Sequence, residues 1–310
     1  MTELAILAAT DLSARSSQVG ARAARIAAVL DARFILSHVA PVERKDLPHS
    51  VAPAPAEMAE ATSGSAGTEP PAPGPLLSLG KRLLGRGPRS GPADPVKSLR
   101  MRARGLDPAP DLRLLSGNPA EELAQLAWDE QAMLMILGLH RERRVLDVLR
   151  LTTMEQIVMA SPVPVLIAHR DAAQPYRRVL ALTDFSPASA AALRVAARIA
   201  PRAEFHAIHA LQLPLGARFS AQDAASDDVL TQAEQMRAAF LGSPGLPRLA
   251  EPPEIVPGGV HEVLSFRQVE LAADLVCIGT HSGRDPQQLG HYARDLMRAP
   301  PTDLLIAKPA

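Results

Sequence analysis

At 310 residues, with 47% hydrophobic and 21% charged side chains, the chain is long enough for two ordinary domains and has a globular composition. Lys plus Arg and Asp plus Glu both number 33, so no net charge draws it to nucleic acid or to an anionic membrane, and aromatics at 3% leave few surfaces for stacking bases. No apolar run reaches membrane-spanning length, and the one cysteine, Cys277, sits in an apolar run, which excludes a disulfide framework and predicts a buried structural thiol.

The opening MTELAILAATD has no basic leader followed by an apolar core, so a secretory signal is not expected and a reducing cytoplasm is the expected compartment. LAILAAT is a short apolar run, as a buried strand requires. SSQVGARAARIAAVL is alanine-rich with helical period, and FILSHV reads as the next strand. Residues 42–98 then break the alternation with VAPAPAEMAEATSGSAGTEPPAPGP and GRGPRSGPADP. Such Pro, Ala, Gly and Ser density cannot bury enough surface to offset chain entropy, so most of this stretch is expected to be a disordered insertion, with 49–92 mobile and protease-sensitive. Inside it, PLLSLGKRLLGR (75–86) is either a loop with a leucine patch or a basic amphipathic helix that docks a protein partner or an anionic surface. Next, GNPAEELA (117–124) predicts a helix start, with Asn118 as N-cap, Pro119 at the first helical position and Glu121 three residues after the cap. AMLMILGLH (132–140) reads as a strand opening into a loop, and PVLIAH (164–169) as a last strand.

The order then repeats. LAATDLSARSSQVGARAARIA (7–27) is answered by LALTDFSPASAAALRVAARIA (180–200), and, after a two-residue shift, SHVAP (37–41) by IHALQ (208–212). GNPAEELA is answered by GGVHEVLS (258–265), AMLMILGLH by ADLVCIGTH (273–281) and PVLIAH by DLLIAK (303–308). The chain therefore reads as two copies of one βαβαβαβαβ unit, roughly 1–171 and 172–310. Alternating strands and helices imply a parallel sheet covered on both faces, with ligands at the carboxyl ends of the strands.

The pieces ATDLSARSSQVGARAARIAAVL…FILSHV and GNPAEELAQLA, the GLH and GTH loops, and PVPVLIAH and PTDLLIAK together resemble the universal stress protein family in its tandem, two-domain form. The resemblance implies two five-stranded parallel α/β sandwiches, Rossmann-like and related to the adenine nucleotide alpha hydrolase fold. It further implies that the last strands, 163–168 and 303–307, pair within the chain as a pseudo-two-fold, intramolecular pseudo-dimer, with homo-oligomerisation left open.

ATP-binding members of that family carry Gly, two residues, Gly, nine residues, then Gly with Ser or Thr. Glycines let backbone N–H groups approach phosphate, and the last Gly and hydroxyl start a helix whose N-terminus favours anions. In copy one the length is kept and the glycines are lost: Gly138 holds the first position, Arg141 the second and Leu151 the third, while Thr152 keeps the hydroxyl. Thr152 with Glu155 also spells a capping box. In copy two the loop is shortened: Gly279 is present, Ser282 replaces the second glycine, Gly283 follows one place late, and Gly290 comes two residues early with His291 in place of the hydroxyl. Pro286 removes a donor N–H from that loop.

The resemblance places Asp11 and Asp184 near adenine or ribose, and Val39 and Ala210 where family backbone meets adenine. The competing role for Asp11 and Asp184 is an Asx turn or helix N-cap. His38 and His209 are expected to be satisfied strand-end residues, and Arg141, Arg143 and Arg144 a basic loop mouth, solvated or holding a free anion.

No phosphate-loop, dinucleotide-fingerprint, zinc-protease or nucleophile-elbow sequence occurs, and the histidines show no metal-ligand spacing. No catalytic residue or metal site is expected. The expected function is a non-enzymatic stress-response regulator or interaction module with weakened or lost ATP binding, copy one being the poorer host. The alternatives are a switch that binds ATP or another adenine nucleotide and hydrolyses it slowly, and a nucleotidyl transferase of a related fold, against which the lack of a His-x-Gly-His signature counts. The sequence fixes no cofactor; ATP or another adenine nucleotide is the candidate.

Overall fold

The computed structural model describes residues 4–40, 94–139, 151–172, 174–212, 224–280 and 289–308. Copy one runs β1 (Ala5–Ala9), α1 (Ser17–Leu30), β2 (Arg33–Ala40), α2 (Pro95–Ala103), β3 (Asp111–Ser116), α3 (Pro119–Asp129), β4 (Ala132–Gly138), α4 (Thr153–Ala160) and β5 (Val165–Ala168). Copy two runs β6 (Arg178–Leu182), α5 (Pro187–Ile199), β7 (Glu204–Leu211), α6 (Ala224–Leu241), β8 (Glu254–Pro257), α7 (Val260–Glu270), β9 (Leu275–Gly279), α8 (His291–Arg298) and β10 (Asp303–Ala307). Both copies thus have the βαβαβαβαβ order that the repeat predicts.

The local chemistry explains the boundaries. The α1 helix ends where Asp31 turns left-handed (φ 50°) and returns its N–H to the Ala27 carbonyl. Asn118 caps α3 by accepting from the Ala120 N–H at 3.0 Å, and Pro119 fills the position whose N–H has no helical partner. The insertion ends earlier than its composition implies. Residues 95–98, expected to belong to it, form the first turn of α2, because Asp94 accepts from the Lys97 N–H at 3.0 Å and Pro95 starts the helix. The proline that reads as a disorder signal is here a helix-start signal, and Leu99, 2% exposed, ties the helix to the core. The rest of the insertion, including 49–92 and 75–86, lies outside the described residues.

The ten strands form one sheet in the order β3-β2-β1-β4-β5-β10-β9-β6-β7-β8. Each half is parallel. The halves meet where β5 and β10 pair antiparallel, with Leu304 opposite Ile167, Leu305 opposite Leu166 and Ile306 opposite Val165. This is the pairing that the matched runs PVLIA and DLLIA predict, since an exposed apolar edge would otherwise invite association. Alternate residues of β10 serve opposite faces, Leu304 and Ile306 on one and Leu305 and Ala307 on the other. One face packs α1, α2, α5 and α6, the other α3, α4, α7 and α8. Cys277 is fully buried in β9, and burial pushes its thiol far above the ordinary range, in keeping with a structural role.

Polar contacts also cross between the copies. Asp303 has no exposed surface, yet its carboxylate accepts from the N–H groups of His169 (2.9 Å) and Arg170 (2.8 Å) and from the Tyr176 hydroxyl (2.6 Å). The Arg22 Nε lies 3.1 Å from the other side of this cluster, at Asp303 Oδ2, and its guanidinium sits 4.2 Å over the Tyr176 ring. Arg22 also donates to the carbonyls of Gln174 (3.0 Å) and Asp171 (2.9 Å), in the segment joining the copies. From the other direction the Lys308 ammonium donates to the Met159 and Ser161 carbonyls at 2.6 and 2.8 Å, at the end of α4.

Candidate functional site

The two copies build the same turn where their first strands end. Thr10 Oγ1 lies 2.7 Å from Ser16 Oγ, and Thr183 Oγ1 lies 2.8 Å from Ser189 Oγ. Each threonine accepts the N–H two residues on, from Leu12 at 3.0 Å and from Phe185 at 2.8 Å, and those residues adopt left-handed φ values of 60° and 62°. Asp11 and Asp184 each accept the N–H of the following serine, Ser13 and Ser186, at 3.0 Å. Both aspartates are therefore Asx-turn residues, and this work occupies one oxygen of each carboxylate. His38 and His209 meet the Thr10 and Thr183 carbonyls through Nδ1, both at 2.8 Å, so these histidines brace the turn from the second strand.

Gly138 and Gly279, the first cradle glycines, have a packing role as well. A Cβ on Gly279 would stand 2.9 Å from the Ala188 Cβ and 3.0 Å from the Ser189 backbone nitrogen. A Cβ on Gly138 would stand 3.0 Å from the Ser16 Cβ and 3.1 Å from its Cα. The fourth strand of each copy thus touches the start of that copy's first helix, and any side chain there would have to push its neighbours aside.

Beyond these shared parts the copies diverge. In copy one, Thr152 accepts the Glu155 N–H at 3.2 Å while Glu155 Oε2 accepts the Thr152 N–H at 2.7 Å, a complete capping box. Glu155 is 1% exposed, and its other oxygen lies 3.3 Å from Arg298 Nη2 of copy two. Leu151, at the third cradle position, is 39% exposed. The Thr152 hydroxyl and the start of α4 are thereby engaged internally. In copy two, Gly290 caps α8 with no side-chain bond, so among the described residues no side chain closes the start of that helix.

The start of α8 faces a cavity of about 240 Å³ at the carboxyl ends of β6, β7 and β9. Strand order reverses between β6 and β9, so the cavity lies at the switch point where open α/β sheets bind ligands. Leu182, Val260, Ile278 and Leu296 supply apolar wall, while Asp184, His209, Gln212, Thr280 and Tyr292 supply polar groups. It brings together four of the sequence-derived candidates for copy two, namely Asp184, Ala210, Gly279 and Gly290; His291, exposed at the first position of α8, is not part of its lining. In copy one, Asp11, Val39 and Gly138 sit at the matching strand ends and Thr152 at the matching helix start. Gly283, Ser282 and Pro286, and the basic Arg141, Arg143 and Arg144, lie outside the described residues.

Sequence reasoning misses Gln212, Thr280 and Tyr292. Gln212 carried a signal, since the repeat aligns it with Pro41, which has no side-chain hydrogen bond to offer. The Thr280 hydroxyl is buried and has no hydrogen-bond partner among the described residues. A buried hydroxyl left unpaired costs roughly 1–3 kcal/mol, so Thr280→Val, equal in shape, is expected to raise stability by about 1 kcal/mol, read as a higher thermal midpoint of the ligand-free protein.

Among the described residues no helix is long and apolar enough to cross a membrane, and no cluster of His, Cys, Asp or Glu is placed to hold a metal. No curated protein matches the chain in sequence. In solved structures its fold recurs in a universal stress protein from Archaeoglobus fulgidus DSM 4304, at 15% identity and a TM-score of 0.57, covering 99% of this chain and 96% of that one. It recurs also in a protein of unknown function from Pseudomonas aeruginosa PAO1, at 16% identity and a TM-score of 0.57, covering 98% and 92% of the two chains. The sequence profile described as "Universal stress protein family" matches twice, over residues 5–169 and again over 175–308. With the same strand order and the same strand-end turn in both matched segments, the chain belongs to the universal stress protein family as a tandem, two-domain member.

Proposed function

We propose that this tandem universal stress protein is a non-catalytic regulator or interaction module in stress response, in which weakened adenine-nucleotide binding is confined to copy two. The observation that carries this reading is the difference between the two helix starts. The start of α8 borders the 240 Å³ cavity and has no side-chain cap, whereas α4 is closed by the Thr152–Glu155 capping box and preceded by Leu151.

The residues of copy two fit the base and sugar of an adenine nucleotide better than its phosphates. Apolar wall and a few polar groups line the cavity, and the helix start offers N–H groups to an anion. The Gly290 N–H, however, is already spent on the Thr280 carbonyl at 3.1 Å, and Gly279 is held by packing. In copy two Asp184, Ala210, Gly279, Gly290, Gly283 and His291 would contribute to binding, and in copy one Asp11, Val39, Gly138 and Thr152 keep a structural role.

Titration calorimetry on the whole chain tests this. The expected result is weak binding, at most one site per chain, with AMP, ADP and ATP bound about equally because losing one or two charge-assisted bonds costs roughly 1.5–3 kcal/mol each. Micromolar, ATP-selective binding that disappears on Thr152→Ala would overturn it and make copy one the working site.

A further inference from the structure

We infer that Gln212 selects an adenine-type base edge in the copy-two cavity. The inference rests on the binding reading above and adds the residue that chooses the base.

Gln212 follows the end of β7 and lines the cavity from one side; Tyr292, in the first turn of α8, lines it from another. The Gln212 amide N–H donates to the Tyr292 hydroxyl, so the two side chains join across the cavity between β7 and α8. Gln212 is exposed, and its amide has no part in the core. An exposed amide that bonds, among the described residues, only the Tyr292 hydroxyl can exchange that bond for one to a ligand at little cost.

The chemistry of the amide then decides which ring it accepts. A glutamine amide presents one donor and one acceptor side by side. The N6 amino group and N7 of adenine present the complementary pair, which is the basis of bidentate glutamine–adenine recognition. Hypoxanthine and guanine present two acceptors at the same edge, O6 and N7, so one amide bond is lost and the amide carbonyl faces a carbonyl. Leu182, Val260 and Ile278 give the flat of the ring an apolar surface. Copy one cannot do the same, because its aligned residue is Pro41.

The experiment compares adenosine with inosine on the full chain by calorimetry, so that phosphate contacts play no part. The unmodified protein is expected to bind adenosine at least about fivefold more tightly than inosine. Gln212→Leu, which keeps bulk and removes both hydrogen-bonding groups, is expected to bind the two nucleosides equally. Tyr292→Phe, which frees the amide from its competing bond, is expected to keep or increase the preference. A preference for adenosine that survives Gln212→Leu overturns the inference while leaving the binding reading intact, and so does binding of both nucleosides without preference by the unmodified protein. If neither nucleoside binds the unmodified protein, the inference and the binding reading fall together.

Discussion

Replacing Asp303 by alanine is expected to destabilise the chain by about 3–5 kcal/mol, a fall in thermal midpoint on the order of 10 °C. The carboxylate is fully buried and takes hydrogen bonds from two backbone N–H groups and the Tyr176 hydroxyl, with Arg22 beside it. Removing it leaves a guanidinium in a low-dielectric site with only carbonyls and a ring face around it. Burial first, and the Asp303 charge second, push the Tyr176 phenol well above its ordinary value, so it serves as a donor throughout the neutral range. Its raised value contributes stability that is full below the unfolded phenol's pKa of about 10 and is lost as pH rises toward the folded one. The double variant Arg22→Met with Asp303→Leu should recover only part of the loss, because it removes the unpaired guanidinium but still leaves the His169 and Arg170 N–H groups and the Tyr176 hydroxyl without their acceptor. Thermal and urea unfolding of the two variants beside the unmodified chain measures this; an Asp303→Ala protein within about 1 kcal/mol of the unmodified chain would mean the cluster holds nothing together.

Gly279→Ala is expected to destabilise by about 1–3 kcal/mol and to abolish binding at the copy-two cavity. The added carbon would press on the Ala188 Cβ at 2.9 Å, the Ser189 nitrogen at 3.0 Å and the Ala188 carbonyl carbon at 3.1 Å, and backbone yields less readily than a side-chain end. Moving the start of α5 would displace Ser189 from Thr183, and with it the Asp184 turn that lines the cavity. Gly138→Ala meets Ser16 and Val19 at 3.0–3.1 Å and should lower stability comparably while leaving ligand binding unchanged. Urea unfolding separates the two effects from calorimetry. A Gly279→Ala protein as stable as the parent but unable to bind would show that the glycine is kept for ligand alone.

The fold was legible because duplication printed it twice. A short run such as PVLIA is ambiguous alone; matched to DLLIA, and with an antiparallel partner needed for an apolar edge, it specifies the seam between β5 and β10. The Asx turns at Asp11 and Asp184 were legible as one of two roles for those aspartates, but the left-handed bend at Leu12 and Phe185 was not. The end of the insertion was misjudged because Asp94-Pro95 has the same composition in a loop and at a helix start; what separates them is Leu99 four residues on, which finds a core only in three dimensions. At the candidate site, the strand-end residues could be read from the repeat, and Gln212 stood out there against Pro41, but its meeting with Tyr292 could not be read, because that depends on how the end of β7 and the start of α8 converge. The glycines at 138 and 279 were read for ligand approach, yet the nearest atoms belong to neighbouring helices.

The seam between β5 and β10 carries one more implication. In a two-fold dimer of separate chains every residue at the interface appears twice, so an arginine on one side is matched by an arginine on the other. Here the repeat sets Val195 opposite Arg22 and Pro164 opposite Asp303, so acid and base each stand only once. Covalent joining has released the interface from self-complementarity. One half can harden into a brace, with its fourth helix capped and its arginine locked, while the other changes its site without copying each change into its twin.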